Sequence, residues 1–237
     1  EPILAFDDVT VLDPHTGIGL KSVSLQVFAG EILGIAGVSG NGQSELANVA
    51  LGLRRLDGGA LRLFGRDATA WSTAARLNAG LACIPEDPLR MGAIPGMTVA
   101  ENMVLGDQRN YARAGGLRMD WGAATANAET YLNKTFVTTA PRLDVNVETL
   151  SGGNLQRVVI ARELGRQPKV LLAYYPARGL DVSNTEAMRN LLLAYRSQGV
   201  AILLVSEDMD ELFALSDRLA VMYLGRIVES GPVEEVF

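Results

Sequence analysis

The sequence predicts an α/β fold built on a mainly parallel sheet, with an antiparallel β segment at the N-terminus and a helical segment inserted in the middle. Three observations predict it. Strand-length apolar runs alternate with helix-periodic stretches towards both ends of the chain. A Gly-rich loop, Gly37 to Gly42, joins one such run directly to a helix. From about Asp87 to Glu148 the rhythm stops, and Ala-rich helical pieces broken by Gly and Pro take over.

In chain order, Ile3 to Leu12 and Leu20 to Val27 alternate apolar and polar residues and read as strands about a turn at Gly17 and Gly19. Glu31 to Ala36 is a short apolar strand that enters the loop. Ser44 to Leu53 carries Leu46, Val49, Ala50 and Leu53 at helical spacing and ends at Gly52 and Asp57-Gly58-Gly59. Leu61 to Gly65 and Leu81 to Pro85 read as strands. After the inserted segment come a helix (Asn154 to Gly165), a strand (Val170 to Ala173) and a helix (Thr185 to Ser197). A strand (Val200 to Val205), a helix (Glu207 to Leu215) and a hairpin about Leu224-Gly225 close the chain. Strands alternating with helices imply parallel pairing with helices on both faces. Trp71, Trp121 and Tyr131 read as packing residues.

Composition narrows the chemistry. The 237 residues are 48% apolar and 20% charged, with 21 basic against 27 acidic side chains. A net charge of −6 argues against a nucleic-acid partner, which needs a basic footprint. Lys21, Lys134 and Lys169 are the only lysines. Cys83 is the sole cysteine, in the apolar run Leu81 to Ile84, and reads as an inert core residue. His15 is the sole histidine, which leaves little room for zinc or His-based catalysis. The longest apolar run, Val200 to Val205, is far short of the ~18–20 residues that span a bilayer. No signal peptide is read, and the start at Glu1 rather than Met is read as the start of a piece of a longer chain.

Gly37-Val38-Ser39-Gly40-Asn41-Gly42-Gln43-Ser44 matches the phosphate-binding loop pattern G-x-x-x-x-G-K-[ST] except at Gln43, where the pattern has Lys. Glycines let several N–H groups converge on an anion, the helix start adds its positive end, and Ser44 has a hydroxyl for magnesium. Without the Lys, a Gly-rich turn with no ligand remains a fair reading of this segment alone. Leu150-Ser151-Gly152-Gly153-Asn154-Leu155-Gln156-Arg157 is a second Gly-rich helix start.

At this point the chain resembles the ATP-binding cassette family of P-loop NTPases, in which Leu-Ser-Gly-Gly is the signature motif. The order phosphate loop, helical segment, signature, strand, Gly179-Leu180-Asp181, strand and hairpin also matches, over nearly the whole chain. The resemblance implies one nucleotide-binding domain over residues 1–237, with a helical subdomain at about 87–150. Nucleotide-binding residues carried over are Gly37, Ser39, Gly40, Asn41, Gly42, Gln43, Ser44 and Glu45. Ser151, Gly152, Gly153, Asn154 and Gln156 would act in trans on ATP held by a companion domain, and Asp181 is the D-loop residue. ATP and Mg2+ are the implied cofactors, with Ser44 and Glu86 as metal candidates.

Four positions depart from the pattern together. Gln43 replaces the Lys, Tyr174 the magnesium-supporting Asp, Tyr175 the water-activating Glu, and Glu207 the switch His. A phenol, with an ordinary pKa of about 10, is neither a carboxylate nor a useful base at neutral pH. Glu207 would repel a γ-phosphate. Losing the ammonium costs roughly 1.5–3 kcal/mol of binding, or about 10- to 150-fold. An adenine-stacking aromatic has no clear match; Phe6 and His15 are the candidates.

The departures, with Ile84-Pro85-Glu86-Asp87, Arg178-Gly179-Leu180-Asp181-Val182 and Ser206-Glu207-Asp208, look like the second, degenerate cassette of a tandem bacterial importer of simple sugars or nucleosides. That resemblance implies a head-to-tail dimer with a companion cassette, a membrane permease docked on the helical subdomain, and a peripheral place on the cytoplasmic membrane face. Residues Asp87 to Asn102 are the candidate docking surface, where Arg90, Met91, Met97 and Val99 could equally be core. The chain's own loop is expected to hold nucleotide without hydrolysing it well. A self-sufficient ATPase, a non-transport cassette acting on DNA or the ribosome, and a nucleotide-free scaffold stand as alternatives.

Overall fold

From Ser22 to Val27 buried Val23, Leu25 and Val27 alternate with exposed Ser22, Ser24 and Gln26, while Ile32 to Ala36 is buried on both faces. These two patterns separate the sheets of the computed structural model, which describes residues 1–12, 17–135 and 139–236. The elements are β1 (Leu4–Val11), β2 (Leu20–Val27), β3 (Ile32–Ala36), α1 (Gln43–Leu51), β4 (Gly58–Leu63), β5 (Arg66–Asp67), α2 (Thr73–Ala79) and β6 (Leu81–Ile84). Next come α3 (Val99–Met103), α4 (Gln108–Tyr111), β7 (Ala112–Arg113), β8 (Arg118–Met119), α5 (Trp121–Thr135) and α6 (Gly152–Gly165). The chain closes with β9 (Val170–Tyr174), α7 (Val182–Ser197), β10 (Ala201–Val205), α8 (Met209–Leu215), β11 (Arg218–Tyr223), β12 (Arg226–Pro232) and α9 (Val233–Val236).

The chain divides into two units. The first comprises Glu1–Leu81, Lys169–Tyr175 and Leu192–Phe237, the last residue lying outside the described ones. It holds an antiparallel sheet in the order β2-β1-β4-β5, and a mixed sheet in which strands run β12-β11-β3-β10-β9. Within the latter, β11, β3, β10 and β9 are parallel and β12 returns antiparallel to β11. Strands β3, β9 and β10 are buried residue by residue, as their unbroken apolar runs require.

The second unit comprises Ala82–Pro168 and Pro176–Leu191. Its core is Val99, Met103, Ala128, Leu132, Val147, Leu155, Val158 and Ala161, drawn from α3, α5, α6 and the turn before α6. Thr98 and Glu101 form a reciprocal capping box that starts α3. Burial, with the Glu163 carboxylate beside it, pushes the Cys83 thiol well above its ordinary pKa, so it is no thiolate at neutral pH.

Several boundaries differ from the sequence reading. β9 runs on through Tyr174 because that residue pairs with Val205 of β10. Helix α2 was not anticipated, although Ser72, which accepts from the Ala75 N–H at 3.3 Å, and Gly80 are ordinary cap residues. A two-residue hairpin, β7–β8, interrupts the helical segment. Phe6 is 1% exposed inside the first unit, so its ring is core and not a stacking surface. His15 lies outside the described residues.

Candidate functional site

Strand β3 delivers the chain into the loop Gly37 to Gly42, and α1 begins at Gln43. Gly37 and Gly42 take φ values of 150° and 116°, which side-chain-bearing residues rarely adopt. A Cβ on Gly37 would sit 2.5 Å from the Met222 carbonyl oxygen. Asn41 ties the loop to the β11–β12 turn. The Leu224 N–H donates to Asn41 Oδ1 and the Gly225 N–H to the Asn41 carbonyl, each at 2.8 Å. Asn41 Nδ2 donates back to the Val38 carbonyl at 2.7 Å. Gln43 is 2% exposed and folds into the loop. Its Oε1 accepts from the Asn41 N–H at 2.9 Å, and its Nε2 donates to the Val38 carbonyl at 3.1 Å. Ser39, Gly40 and Ser44 are exposed, and Glu45 is half-buried in the first turn of α1.

Two of the departures touch. The Tyr174 hydroxyl, at the buried end of β9, donates to the backbone carbonyl of Gln43 at 2.9 Å. Tyr175 is buried with φ 48°, an unusual state for an aromatic residue, and its N–H donates to the Val205 carbonyl at 2.8 Å. After β10, Ser206 donates to Glu211 Oε2 at 2.6 Å and accepts from the Asp208 N–H at 3.1 Å. Glu207 between them is exposed. Sequence reasoning missed Ser206 as an anchor of this turn.

In the second unit, Ser151 is the N-cap of α6 and its Oγ accepts from the Asn154 N–H at 3.3 Å. Gly152 is exposed, and a Cβ there would meet nothing within 4 Å. Gln156 is buried and donates through Nε2 to the Pro176 carbonyl at 2.7 Å. Arg157 bonds Asn154 Oδ1 through one nitrogen and Asn184 Oδ1 through another, the latter at 2.7 Å. Asp181 accepts from the Asn184 N–H at 2.9 Å and from Asn184 Nδ2 at 2.7 Å. Those bonds, the backbone one foremost, hold the Asp181 carboxyl below its ordinary pKa, with the Arg157 charge a smaller contribution. Asn184 was missed, although an Asp and an Asn three apart at a helix start is a legible cap spacing. Glu86 is ion-paired to Arg178 at 2.5 Å.

A family model described as ABC transporter matches residues 20–176. The chain belongs to that family. The glucose import ATP-binding protein TsgD13 of Haloferax volcanii is 40% identical over 99% of this cassette and 43% of its own length. The guanosine import ATP-binding protein NupO of Bacillus subtilis is 37% identical over 98% of this cassette and 46% of its own length. A ribose import ATP-binding protein, RbsA 2 of Streptomyces avermitilis, is 38% identical over 90% and 42%. The cassette thus spans less than half the length of these curated relatives. A nucleotide-free ATP-binding cassette from an ABC transporter superposes with a TM-score of 0.82 at 23% identity, covering 100% of this chain and 95% of that one. A dimeric cassette in a post-hydrolysis state, bound to ADP and Pi, gives 0.83 at 22% identity, with 97% and 98% covered. The fold is that of an ABC ATPase.

The side chains of this cassette do not fit a magnesium centre. Ser44 supplies one hydroxyl, Tyr174 brings a phenol to the strand end, and Glu86 is engaged by Arg178. Among the described residues no three His, Cys, Asp or Glu side chains gather to hold a metal. The start of α6 is different: a 14-residue helix opens there with Ser151 and an uncrowded Gly152 at its positive end. That arrangement can receive an anion.

Proposed function

We propose that this cassette is the second, degenerate half of a tandem importer ATPase, and that it completes the ATP site of a companion cassette through Ser151 to Gln156. The observation that carries the reading is the contrast between its two anion-type loops. The signature loop keeps its residues and an open helix start, whereas the phosphate loop has lost the Lys and is joined through its Gln43 carbonyl to Tyr174. Relatives named for glucose, guanosine and ribose import support a simple-sugar or nucleoside cargo.

In this reading the companion's ATP lies between the companion's phosphate loop and the start of α6. The Ser151 hydroxyl and the positive end of α6 stabilise charge on the transferring phosphoryl group. Gln156 and Arg157 position the helix start by holding Pro176, Asn154 and Asn184. ATP bound only by the closed pair favours closure by mass action. A permease subunit docks on the helical segment, which supports a peripheral place on the cytoplasmic membrane face. Its surface centres on Leu89, Met91 and Ile94, which are 45%, 61% and 43% exposed; Val99 is core. Among the described residues no helix is long and apolar enough to cross a membrane.

The test is Gly152→Glu in the assembled transporter. The side chain enters open space and its charge suits a helix start, so the melting temperature should hold or rise. Phosphate release by the assembly should fall by about 100-fold or more, because a carboxylate now faces the phosphoryl group. Unchanged turnover would refute the reading.

A further inference from the structure

We infer that the cassette's own phosphate loop is closed by an internal plug, the carboxamide of Gln43, which takes the backbone donor that a phosphate oxygen would use. A primary amide has an acceptor and donors on one rigid plane. In Gln43 both ends are used across the loop: Oε1 receives the Asn41 N–H and Nε2 reaches the Val38 carbonyl. A Lys ammonium can donate to a carbonyl but has no acceptor, so it would leave the Asn41 N–H for an anion. The departure at Gln43 therefore removes a charge and fills the nest as well.

The surroundings hold the plug in place. A Cβ on Gly37 would lie 3.1 Å from Gln43 Nε2, so the bare glycine gives the amide room. The backbone of Gln43 is held by the Tyr174 hydroxyl. Asn41, the residue whose N–H is taken, is fixed by Leu224 and Gly225. A triphosphate must displace Gln43 Oε1 before it gains the Asn41 N–H, and it finds no ammonium when it does. The cassette then works with its own loop free of nucleotide.

This inference rests on the degenerate-site part of the reading above and deepens it. The Gly152→Glu test does not involve Gln43, so the two can fail separately. The experiment compares the 237-residue cassette with its Gln43→Ala and Gln43→Glu variants, using ATP calorimetry with and without magnesium and amide hydrogen exchange at Asn41. Without ligand, the wild-type Asn41 N–H should be protected, and no binding should appear up to millimolar ATP. In Gln43→Ala that protection should fall, and ATP should bind about tenfold tighter or more, the worth of the lost amide bonds. Gln43→Glu keeps the acceptor and adds a negative charge, so protection should persist without ATP binding. Equal ATP affinity in wild type and Gln43→Ala, or equal Asn41 protection in the two, would overturn the plug. If Gln43→Ala does not give a native circular dichroism spectrum, Gln43→Met replaces it, keeping the length without the polar atoms.

Discussion

Arg76 shows how much of this site is held by single side chains far from it in sequence. It is 3% exposed, and its guanidinium donates to the carbonyls of Val49, Ala50, Ala68, Thr69 and Trp71. Two of those carbonyls belong to the last turn of α1, so a buried cation closes the negative end of the helix that the phosphate loop opens. Burial lowers the pKa of Arg76, but a guanidinium starts so high that it stays charged. Replacing it by Met should destabilise the chain by about 3 kcal/mol, because several buried carbonyls lose their donors at once. Urea unfolding would show this as a lower midpoint at unchanged slope. Arg76→Lys should recover only part, since an ammonium cannot span five acceptors. At the other end of α1, Tyr174→Phe removes one buried hydrogen bond to Gln43 and should cost about 1 kcal/mol by the same measurement.

At the level of elements, α6 carries the heaviest duty. Every residue from Leu155 to Leu164 is buried, charged ones included. Arg162 pairs with Glu163 at 2.7 Å and donates to the Gly92 carbonyl at 2.6 Å, while Glu163 also meets Arg166 at 3.4 Å. Removing one partner of a buried pair leaves the other charge uncompensated, so Glu163→Leu should cost about 3–5 kcal/mol. Its midpoint in urea should fall well below that of Arg142→Ala, which breaks an exposed pair. Helix α7 gives a pH dependence. The folded-state pKa of Asp181 lies below its unfolded value because Asn184 bonds to the carboxylate. The stability it contributes is therefore present above the unfolded pKa, about 3.9, and is lost as pH falls through the lower folded value. Between neutral pH and pH about 3, the melting temperature of wild type should drop more than that of Asp181→Ala, and parallel curves would exclude this contribution.

For the molecule as a whole, the four departures sit at the ends of α1, β9 and β10, so in the proposed reading no single reversion restores them together. Gln43→Lys alone should leave phosphate release by the chain at background, because Tyr174 and Tyr175 still supply no carboxylate and Glu207 no imidazole. The family was legible because its motifs are local: Gly37 to Ser44 and Leu150 to Arg157 declare backbone turns and helix starts within eight residues each. The strand–helix alternation declared the mixed sheet in the same way, since periodicity of burial is written residue by residue. Helix α2 and the short β7–β8 hairpin escaped because seven-residue and two-residue elements carry little periodic signal. Chemistry at the four departures was also plain in the sequence, because residue type alone tells an amide from an ammonium and a phenol from a carboxylate. Where those groups point was not, since a side chain's direction depends on partners distant in the chain. Gln43 turning into its own loop, Tyr174 reaching the carbonyl of a residue 131 positions away, and Arg157 joining Asn154 to Asn184 are settled only when packing brings those partners within hydrogen-bond distance.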